Sequence, residues 1–304
     1  MVNIFHIYDR VIRWVMKAAG VRPVQVQIEP GTTLNFWVPA GDQNKNHPNH
    51  PPLLLLHGFA ANAIMTWQCQ VLNLAKNYAV YVPDFIFFGE SVTDRPERTP
   101  EFQAECVAEG LRKLGVERRC VLVGFSYGAI VGFRMAEMYP ELVEAMVVTA
   151  APTVLTESIS REALETIGFR SWSEYLVPET VKGVKSMLEI ASFKFPRVPR
   201  WIFKHYLEAM VIHKRERAEL LQALVAADDV TISQFPQKLH IIWGRNDNLF
   251  DVQIAHSMKE QFGGKARLDC IEKAGHIVPI EHPFIYNQCL QEFLQSLMED
   301  KSQN

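Results

Sequence analysis

The sequence predicts an α/β protein in which a mostly parallel, doubly wound sheet carries an inserted helical cap. Short apolar runs alternate with helical patterns along most of the chain, which is typical of a sheet covered by helices on both faces. One connection, between Thr149 and Leu239, is about 90 residues long, whereas a strand–helix–strand unit needs little more than roughly 30. The 304 residues include a hydrophobic share of 48% and carry a net charge of −3. This composition fits a core-rich globular protein without the basic excess of a nucleic-acid binder.

Residues 1–19 predict an amphipathic helix. Apolar side chains recur there at helical spacing with charged residues between them, and Gly20 ends the pattern. We expect this helix to dock on the body of the protein, and the alternative is a helix that lies on a membrane surface. Asp9 and Arg10 interrupt the apolar stretch, so the segment lacks the unbroken core of a secretory signal.

The strands that follow differ in character. The first two are separated by turn-forming residues at 29–31, and the tract 41–50 is a polar surface loop. The other six are continuously apolar, as strands buried on both faces of a parallel sheet are. The predicted strands are Val24–Ile28, Thr33–Val38, Leu53–Leu56, Ala79–Val82, Cys120–Val123, Ala145–Thr149, Leu239–Trp243 and Arg267–Ile271. The predicted helices between and after them cover 64–76, 99–114, 127–138, 252–262 and 282–298.

The long connection predicts how the chain is organised. A structureless loop of that length is implausible in a compact domain, and the connection is rich in aromatic residues. We therefore expect residues 1–152 and 236–304 to form one core, with residues 153–235 inserted into it as a helical cap.

Cysteine usage and hydropathy indicate a cytoplasmic protein. The five cysteines are odd in number, scattered and without C-x-x-C spacing, which argues against a disulfide framework or a zinc site. The two histidines of the 41–50 tract are read as part of a solvated loop rather than as metal ligands. No apolar run approaches the roughly 20 residues of a membrane span. No metal or organic cofactor is predicted.

The sequence Gly124-Phe125-Ser126-Tyr127-Gly128 lies directly between a predicted strand and a predicted helix. This is G-x-S-x-G in the strand–turn–helix context that gives the motif its meaning. The sharp turn forces an unfavourable backbone on the serine and leaves no room for side chains two residues before or after it. It also lifts the hydroxyl clear of the sheet, so the pattern predicts Ser126 as a nucleophile.

A serine hydroxyl needs a base to remove its proton, and in this motif order the acid and the histidine follow the serine. His276 lies on a loop after the last strand and is better placed than the other nine histidines. Asp247 comes just after a buried strand and can orient the imidazole. Asp251, four residues further on, is its rival. Asp84 precedes the serine and is predicted to shape a loop.

Acyl transfer also needs two hydrogen-bond donors for the oxyanion. One is the backbone N–H of Tyr127, the residue after the nucleophile. The other is expected from the loop after the first parallel strand, which reads His57-Gly58-Phe59. Gly58 permits a close turn there, and the N–H of Phe59 is the predicted second donor.

Taken together, these segments resemble the α/β-hydrolase fold family, in particular its capped esterase and lipase branch with plant members. The segments that carry the resemblance are HGF at 57–59, PDFIFFGES at 83–91, GFSYG at 124–128, GFRMAEMYP at 132–140, WGRND at 243–247 and AGH at 274–276. The similarity runs from about residue 24 to residue 298. It implies a mostly parallel core, a triad of Ser126, Asp247 and His276, and a cap over the pocket.

Two departures narrow what the resemblance implies. Epoxide hydrolases and dehalogenases of this family carry an aspartate at the nucleophile position, and Ser126 removes that chemistry. C–C bond hydrolases typically have a tryptophan after the catalytic histidine, where this chain has Ile277. Strigolactone and karrikin receptors share a similar triad but resemble this chain less in its helical, basic cap.

The expected function is therefore a serine hydrolase that cleaves a carboxylic ester, a thioester or a monoacylglycerol-like lipid ester with an apolar portion. The alternatives are a C–C bond hydrolase of β-diketone-like ring-cleavage products and a slow-turnover ligand receptor of the same fold. We expect a small-molecule substrate and no nucleic acid.

The cap has a basic stretch that the net charge conceals. Its nine basic residues are Lys182, Lys185, Lys194, Arg197, Arg200, Lys204, Lys214, Arg215 and Arg217. A solvated face is the default interpretation. The alternative is peripheral contact with an anionic membrane through residues 1–19 and the basic cap.

Overall fold

A single mixed sheet of nine strands lies at the centre of the residues that the structure, a computed structural model, describes: 3–41, 50–116, 118–231 and 235–303. The strands are β1 Val21–Glu29, β2 Thr32–Pro39, β3 Pro52–Leu56, β4 Ala79–Pro83, β5 Val92–Thr93, β6 Cys120–Phe125, β7 Val143–Thr149, β8 Lys238–Gly244 and β9 Ala266–Ile271. Six neighbours, in the order β4-β3-β6-β7-β8-β9, are parallel. The β1–β2 hairpin and the short β5 add antiparallel pairs at one edge. The predicted sheet is confirmed.

The apolar strands are buried on both faces, as their composition predicts. In β3, Leu53 and Leu55 belong to the core on one side of the sheet, and Leu54 and Leu56 belong to the core on the other side. All four are fully buried. Side chains alternate between the faces of a strand, so a continuous apolar run supplies both cores at once.

Helices cover both faces of the sheet. They are α1 Ile4–Ala18, α2 Ala63–Leu74, α3 Pro100–Lys113, α4 Tyr127–Met138, α5 Glu157–Ile167, α6 Trp172–Leu176, α7 Val181–Ala191, α8 Arg200–Met210, α9 Lys214–Gln222, α10 Val252–Phe262, α11 Val278–Glu281 and α12 Pro283–Gln303. Helices α1, α2 and α12 pack on one face, and α3, α4 and α10 pack on the other. Most predicted ends agree within a few residues. The predicted helix 282–298 is in fact preceded by the separate α11, because the backbone at His282 is not helical.

The long connection contains five helices, α5 to α9, between β7 and β8. Its two ends pair with each other: the amide of Ala226 donates to the carbonyl of Leu155, and the amide of Glu157 donates to the carbonyl of Ala226. The chain thus leaves the sheet and returns to it at one place, as an insertion does. The core and cap boundaries at 152/153 and 235/236 stay a prediction, and residues 232–234 lie outside the described residues. So do residues 42–49 of the predicted polar loop.

The predicted N-terminal helix is α1, and it docks on the body of the protein. Ile12 and Met16 are buried against the sheet. The side chain of Asn3 accepts from the amide of Phe5 at the start of α1, and its Nδ2 donates to the carbonyl of His205 in α8 at 2.9 Å. In the described part of the chain, no helix is both long and apolar enough to cross a membrane.

Candidate active site

Ser126 lies at the sharp turn between β6 and α4, where the G-x-S-x-G pattern predicts it. Its backbone has a φ of 53° and a ψ of −120°, a left-handed conformation that costs of order 1–3 kcal/mol in a residue with a side chain. The turn is held by the amide of Ser126, which donates to the carbonyl of Thr149 on the neighbouring strand at 2.8 Å. The strain lifts the hydroxyl off the sheet and presents it at the N-terminus of α4.

Gly124 and Gly128 make this turn sterically feasible. A Cβ at Gly128 would lie 2.3 Å from the carbonyl oxygen of Leu56 and 2.6 Å from that of His57. A Cβ at Gly124 would lie 2.5 Å from the Cα of Ala129. These obstacles are backbone atoms of the sheet and the helix, which cannot move aside cheaply. The two glycines are therefore required by close packing.

The structure brings Ser126, His276 and Asp247 together in one hydrogen-bonded chain. The Oγ of Ser126 lies 2.9 Å from the Nε2 of His276, and the Nδ1 of His276 lies 2.9 Å from the Oδ2 of Asp247. The other oxygen of Asp247 accepts from the amides of Leu249 and Phe250 at 2.8 and 3.2 Å. Asp247 is thus fixed by its own loop, with one oxygen left for the imidazole.

Asp251, the other candidate for the catalytic acid, does not contact His276 and has a different role. Its side chain accepts from the amide of Gln253 at 2.8 Å and caps the N-terminus of α10. It is exposed, whereas Asp247 is buried.

Asp84, which the sequence assigns to loop shaping, is buried. Its carboxylate accepts from the amide of Ala63 and from the side chain of Asn35. Burial raises the pKa of the Asp84 carboxyl.

The loop that carries His276 is anchored on both sides. The amide of Gly275 donates to Oε2 of Glu281 at 2.7 Å, and the amide of Ile277 donates to the carbonyl of Ala191 in the cap at 3.2 Å. The rings of Phe125 and Phe250 lie 5.4 and 5.8 Å from the imidazole, centroid to centroid. These contacts restrict the imidazole to the position between the serine and the aspartate.

The two predicted oxyanion donors lie next to the serine. Phe59 and Tyr127 line the same pocket as Ser126, and their rings contact each other edge to face at 5.5 Å. Neither backbone amide donates to an acceptor among the described residues. Tyr127 is the first residue of α4, where amides are free and the helix dipole favours negative charge. Both amides are thus available to an anionic oxygen.

His57 stabilises the loop that carries Phe59. Its Nδ1 donates to the carbonyl of Gly58 at 2.7 Å, and its Nε2 accepts from the amide of Phe85 at 3.1 Å. This pair of bonds fixes a neutral ring, because a protonated Nε2 would face another donor. Burial, with the nearby charge of Arg217, lowers the pKa of His57 to about 3. The role of His57 is structural.

The pocket beside Ser126 is narrow, with a volume of about 80 Å³, and is lined almost wholly by apolar and aromatic side chains. The cap and its flanks contribute Leu155, Trp172, Tyr175, Leu176, Met187, Leu188, Ala191, Leu221 and Leu224. No lysine, arginine, aspartate or glutamate is among the described residues that line it. In the same described residues, no three histidine, cysteine, aspartate or glutamate side chains are grouped so as to hold a metal ion.

Three residues of the site could not be found from the sequence. They are Glu281, which holds the loop of His276, and two residues of the cap, Tyr206 and Arg217. The hydroxyl of Tyr206 donates to the carbonyl of Ala60, next to Phe59. The guanidinium of Arg217 donates to the carbonyls of Phe87 and Met210. Sequence spacing gives no signal for contacts between segments this far apart in the chain.

The default interpretation of the basic cap as a solvated face is wrong for Arg217. This side chain is 6% exposed, and its guanidinium carbon lies 4.1 Å from the centroid of the Phe88 ring. Phe88 in turn contacts the ring of Phe59. Burial lowers the pKa of Arg217 to about 10. The buried guanidinium of Arg217 therefore connects the cap, by way of Phe88, to the loop that carries the predicted oxyanion donor Phe59.

Comparisons with known proteins agree with this fold. A family model described as alpha/beta hydrolase fold matches residues 51–171. Human epoxide hydrolase 4 is 25% identical over 292 residues, which cover 89% of this chain and 78% of that protein. Monoacylglycerol lipase abhd6-A of Xenopus laevis is 23% identical over 267 residues, 84% of this chain and 78% of the relative.

Solved structures give the same result. The crystal structure of a candidate lipase (lip1) from Acinetobacter baumannii superposes with a TM-score of 0.81 at 17% identity. The match covers 96% of this chain and 97% of that one. A similarity at this identity shows the fold, and it confirms the architecture that the sequence predicts.

Proposed function

This chain has the α/β-hydrolase fold, and on that premise we propose that it is a serine hydrolase that cleaves a carboxylic ester through an acyl-enzyme on Ser126. One observation carries the proposal: the unbroken hydrogen-bonded chain from Ser126 through His276 to Asp247, with 2.9 Å at each of its two links. This is the geometry in which a histidine can take the proton of a serine hydroxyl.

The proposed reaction has two halves. His276 removes the proton of the Ser126 hydroxyl as its oxygen attacks the ester carbonyl, and the amides of Phe59 and Tyr127 stabilise the oxyanion. His276 then gives the proton to the leaving alcohol, and an acyl-enzyme remains. In the second half, water attacks the acyl group with His276 as base, and Ser126 recovers its proton. Asp247 orients the imidazole throughout.

The pocket supports an apolar substrate. Aromatic and aliphatic side chains line it, and the described lining contains no cationic side chain to pair with a charged acyl group. An apolar acyl group, as an oxygen ester or a thioester, matches the chemistry of this lining. The relative named monoacylglycerol lipase is compatible with a lipid ester of this kind.

The other relative is named epoxide hydrolase 4, and the opening and hydrolysis of an epoxide does not suit a serine nucleophile. The resemblance implies that epoxide hydrolases of this family attack with an aspartate, which forms an ester that water can hydrolyse. Ser126 would form an ether with an opened epoxide, and an ether offers no carbonyl for the second step. We therefore propose ester cleavage.

The two alternatives use the same fold and need different observations. A C–C bond hydrolase of ring-cleavage products has to bind a dienoate, and the described lining of this pocket offers no cation for a carboxylate. A slow-turnover receptor would show a large ligand-dependent rise in melting temperature and almost no multiple turnover. Neither is favoured by a specific feature of the site.

The test is a panel of p-nitrophenyl esters of increasing acyl length, assayed with the wild type, Ser126→Ala and Ser257→Ala. Ser257 is an exposed serine of α10 and serves as the matched control. We expect Ser126→Ala to lose about 10⁴-fold or more in kcat/KM, with an unchanged melting temperature, while the control keeps wild-type rates. Wild-type turnover in Ser126→Ala would refute the proposal.

A further inference from the structure

Helix α1 has a broader apolar surface than its contacts with the core require. Ile12 and Met16 face the sheet and are buried. A second set of apolar side chains, spaced three and four residues apart, faces solvent, and Trp14 is 70% exposed. This set, called the α1 stripe below, is Ile4, Ile7, Tyr8, Val11 and Trp14. A helix docked only for stability would turn polar residues outward there.

A second exposed surface lies in the cap, where α7 ends and α8 begins. The segment 193–204, called the basic segment below, exposes two aromatic side chains, Phe193 and Trp201. Between and after them it exposes Lys194, Arg197, Arg200 and Lys204. Within the described part of the chain, Lys194, Arg197 and Arg200 form no ion pair with an acidic side chain.

The α1 stripe and the basic segment are neighbours. The amide of Ile4 donates to Nδ1 of His205 in α8 at 3.2 Å, and the ring of Trp201 lies 5.3 Å from that of His205. At the other end, the amide of Phe193 donates to Glu281, close in sequence to Phe284, whose side chain is 88% exposed. Apolar and basic side chains thus follow one another from α1 across α8 to the start of α12.

This surface adjoins two residues that line the pocket. Ala60 and Ala191 both line the pocket. Ala60 is held by Tyr206, whose ring contacts Phe5 of α1 at 5.5 Å. Ala191 lies two residues before Phe193, the first residue of the basic segment. An object bound to both surfaces would therefore lie next to the residues that enclose Ser126.

We infer that the α1 stripe and the basic segment together dock on the surface of an anionic lipid bilayer. Exposed tryptophan, phenylalanine and aliphatic side chains partition into the interface of a bilayer, while lysine and arginine beside them are attracted to anionic headgroups. Charge favours this occupant over an apolar protein face, because Lys194, Arg197 and Arg200, which have no acidic partner among the described residues, would lose their hydration in a dry interface. Membrane binding itself does not depend on the proposed function. Only its purpose rests on that function, which is to let an ester in the membrane enter the pocket from the lipid.

Binding is tested with Ser126→Ala protein, so that catalysis plays no part, by flotation with vesicles of phosphatidylcholine alone and with one-third phosphatidylserine. We expect binding to the phosphatidylserine vesicles that weakens as salt rises. In the same background, Val11→Ser/Trp14→Ser should weaken binding about tenfold or more, because two large side chains no longer enter the lipid. Arg197→Glu/Arg200→Glu should do the same and should abolish the preference for phosphatidylserine.

Matched controls lie on α10, its following turn and α4, across the sheet from α1. Lys259→Glu/Lys265→Glu makes the same change in charge as the arginine pair, and Met138→Ser removes an exposed apolar side chain. Both should bind vesicles like the parent. Absence of vesicle binding, or binding that survives changes in the α1 stripe, would overturn the inference. So would a dimer in light scattering that Val11→Ser/Trp14→Ser dissociates, because the stripe would then be a contact between two copies of this chain.

Discussion

The carboxylate of Glu281 lies 2.7 Å from the amide nitrogen of Gly275, the residue before His276. Its other oxygen accepts from the amide of Phe193 in the cap at 2.8 Å. One half-buried carboxylate therefore links the loop that carries His276 to the cap. Glu281 does not touch the pocket, and its expected role is to position His276.

Glu281→Gln should lower kcat about tenfold with little change in KM. The NH₂ group of glutamine is a donor, so it cannot accept from the amide of Gly275 and that of Phe193 at the same time, and one of these two hydrogen bonds is lost. Hydrogen bonds to a charged group contribute about 1.5–3 kcal/mol each. The measurement is steady-state kinetics on the best ester of the panel. Glu272→Gln changes an exposed glutamate three residues before Gly275 and should leave both constants unchanged. A rise in KM alone would contradict a positioning role.

Gly128→Ala should destabilise the protein and abolish activity. The added methyl group would lie 2.3 Å from the carbonyl oxygen of Leu56, and overpacking of a dense core costs about 1–3 kcal/mol or more. The free energy of unfolding in urea measures the loss. Gly264→Ala is the control, because a Cβ there meets no atom within 4 Å. Equal stability of the two variants would refute the steric explanation of the turn.

The sequence predicts the core of the fold better than the cap, for a physical reason. Strands such as β3 are recognisable because each residue is apolar, and burial on both faces requires that. The order and contacts of α5 to α9 depend on tertiary packing between distant segments. The link from Phe193 to Glu281 spans 88 residues of chain, and no local pattern encodes it. The sequence already favours Asp247 over Asp251, and the loop geometry adds the physical reason: Asp247 reaches the imidazole of His276, whereas Asp251 caps α10.

Tyr206→Phe should lower kcat several-fold without loss of fold. The hydroxyl of Tyr206 donates to the carbonyl of Ala60, which holds the loop that carries the predicted donor Phe59. A neutral hydrogen bond of this kind contributes about 0.5–1.5 kcal/mol. Hydrolysis rates and melting temperature are compared with those of Tyr78→Phe, a half-buried tyrosine after α2. If both variants keep wild-type kcat, the cap does not position this loop.

Acid should destabilise the protein through His57. Its pKa is about 3 in the folded protein, against about 6.5 in an unfolded chain. The unfolded chain therefore takes up the proton first as pH falls, and stability that is complete above pH 6.5 is lost progressively towards pH 3. Between pH 7 and pH 4.5 the loss from this group is about 2–3 kcal/mol.

His57→Gln tests this assignment by urea unfolding at both pH values. Glutamine can donate to Gly58 and accept from Phe85 without titrating, so the variant should lose less stability on acidification than the wild type. Burial also lowers the pKa of His240, and that contribution is common to both proteins. Identical pH dependence of the two proteins would show that His57 does not contribute.

Asp247→Asn and Asp251→Asn separate the two candidate acids. An asparagine at 247 can offer its NH₂ group to Nδ1 of His276, which favours the imidazole tautomer that cannot accept the serine proton. We expect kcat to fall about 10³- to 10⁴-fold, as loss of the correct tautomer does in a triad. Asparagine at 251 still caps α10, so that variant should retain wild-type rates and stability. Both are assayed on one ester, with binding of a fluorophosphonate probe as a second readout of serine activation. A large loss in Asp251→Asn with little loss in Asp247→Asn would reverse the assignment, and with it the explanation of why Asp247 is buried with one oxygen free for His276.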